Sequence, residues 1–137
     1  MHGTGDLASL WARADFVVCC VPLLDRTRGL VGPEAFAAMT ANAVLVDVSR
    51  GGVVDEPALL HAIESGRIRG AALDVFATEP LPKEHPLWGY ENVIITPHCS
   101  SVYDGWDVKS VRMFAENLTR YRRGEPLHNV GSPERGY

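Results

Sequence analysis

The chain has 137 residues, of which 46% are apolar and 22% are charged, which is enough apolar sequence for one domain with its own core. Its net charge of -4, with no long run of lysine or arginine, argues against nucleic acid or an anionic membrane as a partner. The longest apolar stretch, residues 15–24, is too short to span a bilayer, and the N-terminus lacks a signal-peptide pattern. We therefore expect a cytoplasmic protein.

Four apolar runs of strand length recur along the chain, and each is nearly continuous rather than alternating. They are residues 16–21, 43–48, 71–75 and 93–96. Continuous apolar runs favour a parallel sheet that is covered on both faces.

Two segments with helix-terminal residues lie between these runs. Residues 33–39 begin with a proline, where the missing N–H does no harm, and residues 57–65 follow Asp55 as the N-cap and end before Gly66. The alternation of strands and helices predicts an α/β fold with a doubly wound parallel sheet. Its ligand crevice is expected beyond the carboxyl ends of the strands.

The C-terminal segment has a different periodicity. Residues 104–121 place apolar side chains at helical spacing, which predicts a long amphipathic helix that needs a surface to pack against. We interpret Trp106 and Met113 as core or interface residues, with core favoured. The tail beyond the helix is rich in turn-forming residues and is expected to be irregular.

Polar residues follow three of the strand runs. They are Arg50 with Gly51-Gly52 behind it, Glu79 before Pro80, and His98 after Thr96-Pro97. Each has an ordinary structural interpretation by itself, as a surface charge, a turn residue or a loop histidine. Together, an arginine, a glutamate and a histidine at one edge can clamp a carboxylate, hold an imidazole charged and move a proton. Asp74 lies within an apolar run, so its carboxylate needs a ligand or a backbone amide as a partner.

The three cysteines, Cys19, Cys20 and Cys99, have no C-x-x-C spacing, and no histidines cluster near them. This spacing indicates neither a disulfide framework nor a metal site. We interpret all three as small buried apolar residues.

The motifs in this order resemble the D-isomer-specific 2-hydroxyacid dehydrogenases. The residues that carry the resemblance are 49–56, 70–76, Glu79-Pro80 and 96–98. The resemblance extends from about residue 7 to residue 130, and the end of the chain is similar to the branch that includes glyoxylate and hydroxypyruvate reductases. It implies the C-terminal part of a Rossmann-like NAD-binding domain.

This resemblance also implies roles for individual residues. Arg50 would bind the substrate carboxylate and polarise the carbonyl of a small 2-oxo acid, and His98 would donate a proton while a nicotinamide delivers hydride. Glu79 would pair with His98. The cofactor would be NAD or NADP, and the residues implied to contact it are Val21, Pro22, Ser49, Arg50, Asp74, His98, Ser100 and Ser101.

No glycine-rich G-x-G-x-x-G turn occurs in the chain, although resembling enzymes carry one before the matched region. We therefore expect residues 1–103 to form a partial NAD(P)-binding Rossmann domain without its glycine-rich βαβ unit, and residues 104–137 to form the C-terminal helix and tail. One interpretation is a truncated oxidoreductase, and the alternative is a non-catalytic nucleotide-binding or self-associating fragment. The resemblance further implies a homodimer. A third interpretation is that a separate chain supplies the missing half.

Overall fold

A four-stranded parallel sheet forms the centre of the first of two compact units, which ends at Ser100; the second unit begins at Ser101. The computed structural model describes residues 6–136, so the first five residues of the predicted 1–103 domain lie outside it. In chain order the elements are α1 (Leu7–Arg13), β1 (Phe16–Cys19), α2 (Pro33–Ala38), β2 (Val44–Asp47), α3 (Glu56–Glu64), β3 (Gly70–Leu73), a 3-10 helix (Pro86–Gly89), β4 (Val93–Ile95) and α4 (Trp106–Arg122).

The strand order is β1-β2-β3-β4, and every neighbouring pair is parallel. All four predicted strands are present, and each ends one or two residues earlier than its apolar run, because the backbone leaves the ladder while the apolar sequence continues. The predicted parallel α/β fold is confirmed. The short helix α1 was not predicted from the sequence.

One face of the sheet packs against the helices of this unit. Val17, Leu45 and Ala71 are neighbours across β1, β2 and β3, and all three are buried. They belong to one apolar cluster that also includes Trp11 from α1 and Phe36 from α2. This cluster is the core of the unit.

The opposite face of the sheet is open, whereas the sequence predicted cover on both faces. Phe16 is 62% exposed, Val18 is 58% exposed and Ile94 is 66% exposed. The strand order explains this exposure. The strands lie side by side in the same order as in the chain, so every crossover runs in the same direction across the sheet. Because crossovers are right-handed, all the connecting helices then lie on one face. Helices cover a second face only where the strand order reverses.

Helix α3 begins at the predicted cap. Asp55 Oδ1 accepts a hydrogen bond from the Ala58 N–H at 2.9 Å, and Gly66, with a φ of +65°, follows the end of the helix. The helix runs over Glu56–Glu64, one residue earlier at each end than predicted. Its first turn lies close to the loop that carries Glu79, because Glu56 bonds to the Ala77 N–H.

We expect Asp55→Ala to lower the free energy of unfolding by about 1 kcal/mol, because the substitution leaves the Ala58 N–H without its side-chain acceptor. Chemical denaturation measures the change. Asp25→Ala, which removes an exposed acid outside any helix, serves as the control and should change the free energy much less. Equal losses in the two variants would show that the cap does not stabilise α3.

The cysteines differ in their environments. Cys19 is buried, and burial, followed by the nearby Asp47 and Cys20, raises the pKa of its thiol to about 12. Cys20 and Cys99 are exposed, so the prediction that all three are buried was wrong for these two. Cys20 directly follows β1, and Cys99 lies in the segment after β4.

The second unit contains α4, which confirms the predicted long C-terminal helix. The helix has 17 residues, and none of them is buried. Trp106 is 47% exposed and Met113 is 42% exposed, so the preference for a core position was wrong for both residues. Among residues 6–136, no helix is long and apolar enough to cross a membrane.

Candidate active site

The carboxyl ends of the four strands meet at one edge of the sheet, because the strands are parallel and in register. The residues that follow these ends include Val21, Arg50, Asp74 and His98. Ligands of open α/β sheets bind in the crevice beyond this edge. Most of the predicted site residues are therefore at the edge where a ligand is expected.

His98 and Glu79 form a hydrogen-bonded pair at this edge. His98 Nδ1 lies 2.7 Å from Glu79 Oε2, and Glu79 Oε1 accepts a hydrogen bond from the Phe76 N–H at 3.0 Å. The bond from His98, followed by the bond from Phe76, lowers the pKa of Glu79 below its usual value. Because a carboxylate can only accept, Nδ1 is the donor, and Nε2 is the ring nitrogen left free to exchange a proton.

A cavity of about 440 Å³ lies beside this pair. Apolar side chains form most of its wall, among them Leu81, Trp88 and Ile95, while Glu79 and His98 supply charged and polar groups. Trp88 Nε1 donates a hydrogen bond to the Pro82 carbonyl at 2.8 Å. Trp88 thus bonds to the loop that carries it and also forms part of the cavity wall.

Glu56 and His85 support the loop that carries Glu79. Glu56 Oε2 accepts a hydrogen bond from the Ala77 N–H at 3.1 Å, and Glu56 Oε1 lies 3.1 Å from His85 Nε2. His85 Nδ1 accepts from the Leu87 N–H at 3.3 Å, so Nε2 donates to Glu56. These bonds connect the β3–β4 loop to the first turn of α3 and to the 3-10 helix.

Asp74 is buried and bonds to the turn that follows β4. Its Oδ1 accepts from the Thr96 hydroxyl and from the Cys99 N–H at 2.9 Å, and its Oδ2 accepts from the Ser100 N–H at 2.8 Å. Burial alone would raise the pKa of Asp74, but these hydrogen bonds outweigh burial and hold the pKa well below its usual range. Backbone amides thus satisfy the carboxylate, which the sequence had left as one of two possibilities.

Arg50 is exposed, and its Nη1 donates to the Ser49 carbonyl at 2.7 Å. It is not among the residues that line the cavity beside His98. Ser49 is buried, and its N–H and hydroxyl both donate to Asp47 Oδ1, at 3.0 and 2.5 Å. Burial raises the pKa of Asp47, although the bonds from Ser49 act in the opposite direction. Asp47 was not predicted as a site residue, although a carboxylate inside an apolar strand run was the available signal.

The other residues predicted to contact a cofactor lie at different places. Val21 is half-buried after β1, and the carbonyl of Pro22 accepts a hydrogen bond from the Thr27 hydroxyl at 2.6 Å. Ser100 is exposed, and Ser101 begins the second unit. Within residues 6–136, no three histidine, cysteine or acidic side chains are grouped in a way that could hold a metal ion.

The opposite pKa shifts of Asp74 and Asp47 predict opposite dependences of stability on pH. Because the pKa of Asp74 is lowered by folding, its contribution is present above its unfolded pKa of about 4 and is lost as the pH falls through the folded pKa. The pKa of Asp47 is raised by folding. Its contribution to the stability of the fold is therefore present at low pH and is lost as the pH rises through the pKa of the folded state.

Denaturation at a series of pH values tests this expectation. Relative to the unchanged chain, Asp74→Asn should lose stability as the pH rises through the acidic range, whereas Asp47→Asn should gain it. Trends in the same direction for both variants would contradict the two assignments.

A parallel sheet with an imidazole–carboxylate pair at its carboxyl edge is typical of a ligand-binding α/β domain, in which the ligand lies beyond that edge. The family described as D-isomer specific 2-hydroxyacid dehydrogenase, NAD binding domain, matches residues 2–100. The chain therefore belongs to this family, which confirms the resemblance seen in the sequence motifs.

Individual relatives support the same assignment. The chain is 43% identical over 125 residues to D-3-phosphoglycerate dehydrogenase of Methanocaldococcus jannaschii, covering 91% of this chain and 24% of that protein. It is 38% identical to glyoxylate/hydroxypyruvate reductase B of Cronobacter sakazakii, over 94% of this chain and 40% of that protein. A D-isomer specific 2-hydroxyacid dehydrogenase of Xanthobacter autotrophicus Py2, crystallised with NADPH and MES, superposes with a TM-score of 0.93 and 42% identity, over 100% of this chain and 56% of that one. The chain thus spans well under half of the length of these two curated relatives.

Proposed function

We propose that this chain carries the acid–base half of an NAD(P)-dependent 2-hydroxyacid dehydrogenase and takes part in the reduction of small 2-oxo acids. The observation that supports this proposal best is the His98–Glu79 pair, 2.7 Å apart, beside the cavity at the carboxyl edge of the sheet. The names of the relatives support the substrate class, because they include reductases of glyoxylate and hydroxypyruvate.

His98 is the proton donor in the proposed mechanism. With Nδ1 bonded to Glu79, its Nε2 can give a proton to the carbonyl oxygen of the substrate as that oxygen gains negative charge. Glu79, held as an anion by the Phe76 N–H and by the histidine, accepts the Nδ1–H and so leaves Nε2 as the nitrogen that faces the substrate in this proposal. The two Glu79 bonds also fix the plane of the imidazole, so that the proton is delivered in one direction.

Residues at the strand ends fit the nicotinamide end of a dinucleotide. The exposed guanidinium of Arg50 and the backbone after Val21 and Ser49 lie at the edge where such a ligand binds in open α/β sheets. We propose that these residues, with His98 and Ser100, hold NAD or NADP. The nicotinamide, when bound, supplies the hydride for the reduction. We further propose that residues 1–103 are the NAD(P)-binding part and that residues 104–137 are the C-terminal helix and tail.

Arg50 binds the substrate carboxylate in this proposal, because a planar guanidinium can engage the carboxylate and keto oxygens together. We expect Arg50→Gln to raise KM for hydroxypyruvate by about 10-fold to 100-fold, which corresponds to the loss of a hydrogen bond to a charged group. The KM of Arg50→Lys should remain close to that of Arg50→Gln, because a point charge does not fix the orientation of the substrate.

The test is oxidation of NADH and of NADPH, followed by absorbance, with glyoxylate or hydroxypyruvate and the purified chain. Arg26→Gln, which removes an exposed arginine from a turn, is the matched control. Turnover that is weakened by Arg50→Gln and not by Arg26→Gln supports the proposal. No turnover by the unchanged chain would contradict the proposed activity and favour the non-catalytic alternative. A cytoplasmic location, dimerisation and association with another chain stay predictions of the sequence.

A further inference from the structure

We infer that Asp74 is a positioning residue that holds His98 in place through the turn at the end of β4. The inference rests on the proposed function of His98 as the proton donor. It concerns how the histidine is held, and it gives Asp74 a task other than the cofactor contact that the family resemblance implies.

The backbone of His98 has a left-handed conformation. Its φ is +53°, a region that residues other than glycine rarely adopt, although histidine tolerates it better than most. Such a conformation persists only when the surrounding structure fixes it. Contacts from outside the turn are therefore needed to hold His98 in this conformation.

Asp74 supplies contacts on both sides of His98. Before the histidine, the Thr96 hydroxyl donates to Asp74 Oδ1; after it, the N–H groups of Cys99 and Ser100 donate to Oδ1 and Oδ2. One carboxylate thus joins three donors that bracket Pro97-His98 within five residues of chain. Because both N–H groups converge on one anion, the backbone after His98 must turn toward Asp74.

The backbone of Asp74, and that of Thr96, is hydrogen-bonded to the neighbouring strands of the sheet. The Asp74 N–H donates to the Asp47 carbonyl at 2.9 Å, and the Thr96 N–H donates to the Leu73 carbonyl at 2.9 Å. Asp74 is buried, and its two oxygens already accept the three bonds to the turn. Its low pKa keeps the side chain ionised at neutral pH, so both oxygens remain acceptors.

The Asp74–turn bonds and the Glu79–His98 bond constrain the same histidine at different points. Glu79 holds the imidazole at Nδ1, and Asp74 holds the backbone from which the imidazole projects. Without Asp74, we expect the turn to relax and the Nδ1–Glu79 bond to be lost for most of the time.

Nuclear magnetic resonance of the chain with 15N-labelled histidine tests this inference without cofactor or substrate. The readout is the His98 ring: its Nδ1–H signal, protected by Glu79, and the ring nitrogen shifts that report the tautomer. Assignment uses His98→Asn, which removes the signal. We expect Asp74→Asn to abolish the protected Nδ1–H signal, because an amide cannot accept at both positions.

Asp47→Asn is the matched control, since Asp47 is the other buried carboxylate at a strand end and its side-chain bonds go to Ser49. The control should keep the His98 signal. A folded Asp74→Asn chain with an unchanged His98 signal would overturn the inference, and so would equal loss of the signal in both variants.

If Asp74→Asn fails to fold, the inference is tested with Thr96→Val, which removes only the hydroxyl that donates to Asp74. The His98 nitrogen shifts should then move, and unchanged shifts would overturn the inference. The result is independent of turnover: a chain that shows no activity can still show the His98 signal and its loss. Failure of the proposed function and failure of this inference are therefore separate outcomes.

Discussion

Replacing His98 with asparagine is expected to lower kcat by about 10²-fold to 10⁴-fold, the usual contribution of a general acid. Asparagine is among the few residues that tolerate the left-handed backbone that position 98 requires, so the turn should keep its conformation. The amide can still bond to Glu79, but it has no proton to transfer at neutral pH. Cofactor oxidation under saturating substrate measures the loss.

The control for this substitution is another histidine–glutamate pair in the same chain. His128 Nε2 lies 3.1 Å from Glu116 Oε1 in the second unit, and both side chains are half exposed. His128→Asn should therefore leave kcat unchanged. Equal losses in His98→Asn and His128→Asn would exclude His98 as the specific proton donor.

Gly51→Ala is expected to have the largest effect on stability. A Cβ at position 51 would lie 1.8 Å from the carbonyl oxygen of Phe76 and 2.4 Å from its carbonyl carbon, and a backbone group cannot move aside as a flexible side chain can. Overpacking of this kind costs about 1–3 kcal/mol, and more where the backbone must shift. Because the Phe76 N–H bonds to Glu79, the shift should also disturb the His98–Glu79 pair.

Two measurements separate these effects. Chemical denaturation gives the free energy of unfolding, and kcat at a temperature where Gly51→Ala is still folded gives the effect on the site. Gly89→Ala is the matched control, since a Cβ there meets nothing within 4 Å. If the two variants were equally stable, the close approach of Gly51 to Phe76 would not constrain the fold.

The sequence predicts the sheet and the ends of its strands well. Each apolar run forms a strand, and Arg50, Asp74 and His98 all follow strand ends because parallel strands share one carboxyl edge. Asp55 caps α3 as predicted, since the cap is a local contact over three residues. Features that depend on local sequence could thus be predicted without the structure.

Features that depend on contacts between distant segments could not be predicted from the sequence. Asp47 was missed because it fits an otherwise apolar run, and only folding shows that it is buried with Ser49. His85 is in no motif, yet it bonds to Glu56, which is 29 residues away in the chain. The open face of the sheet follows from the strand order, which periodicity does not reveal.

The buried thiol of Cys19 can be used to measure how often β1 separates from the sheet. Alkylating reagents attack the thiolate, and a pKa of about 12 together with burial leaves almost none of it available in the folded chain. Cys20 and Cys99 are exposed and can be replaced by serine. In that variant, the rate of alkylation measures how often β1 leaves the sheet, and thus the free energy of local unfolding at this edge.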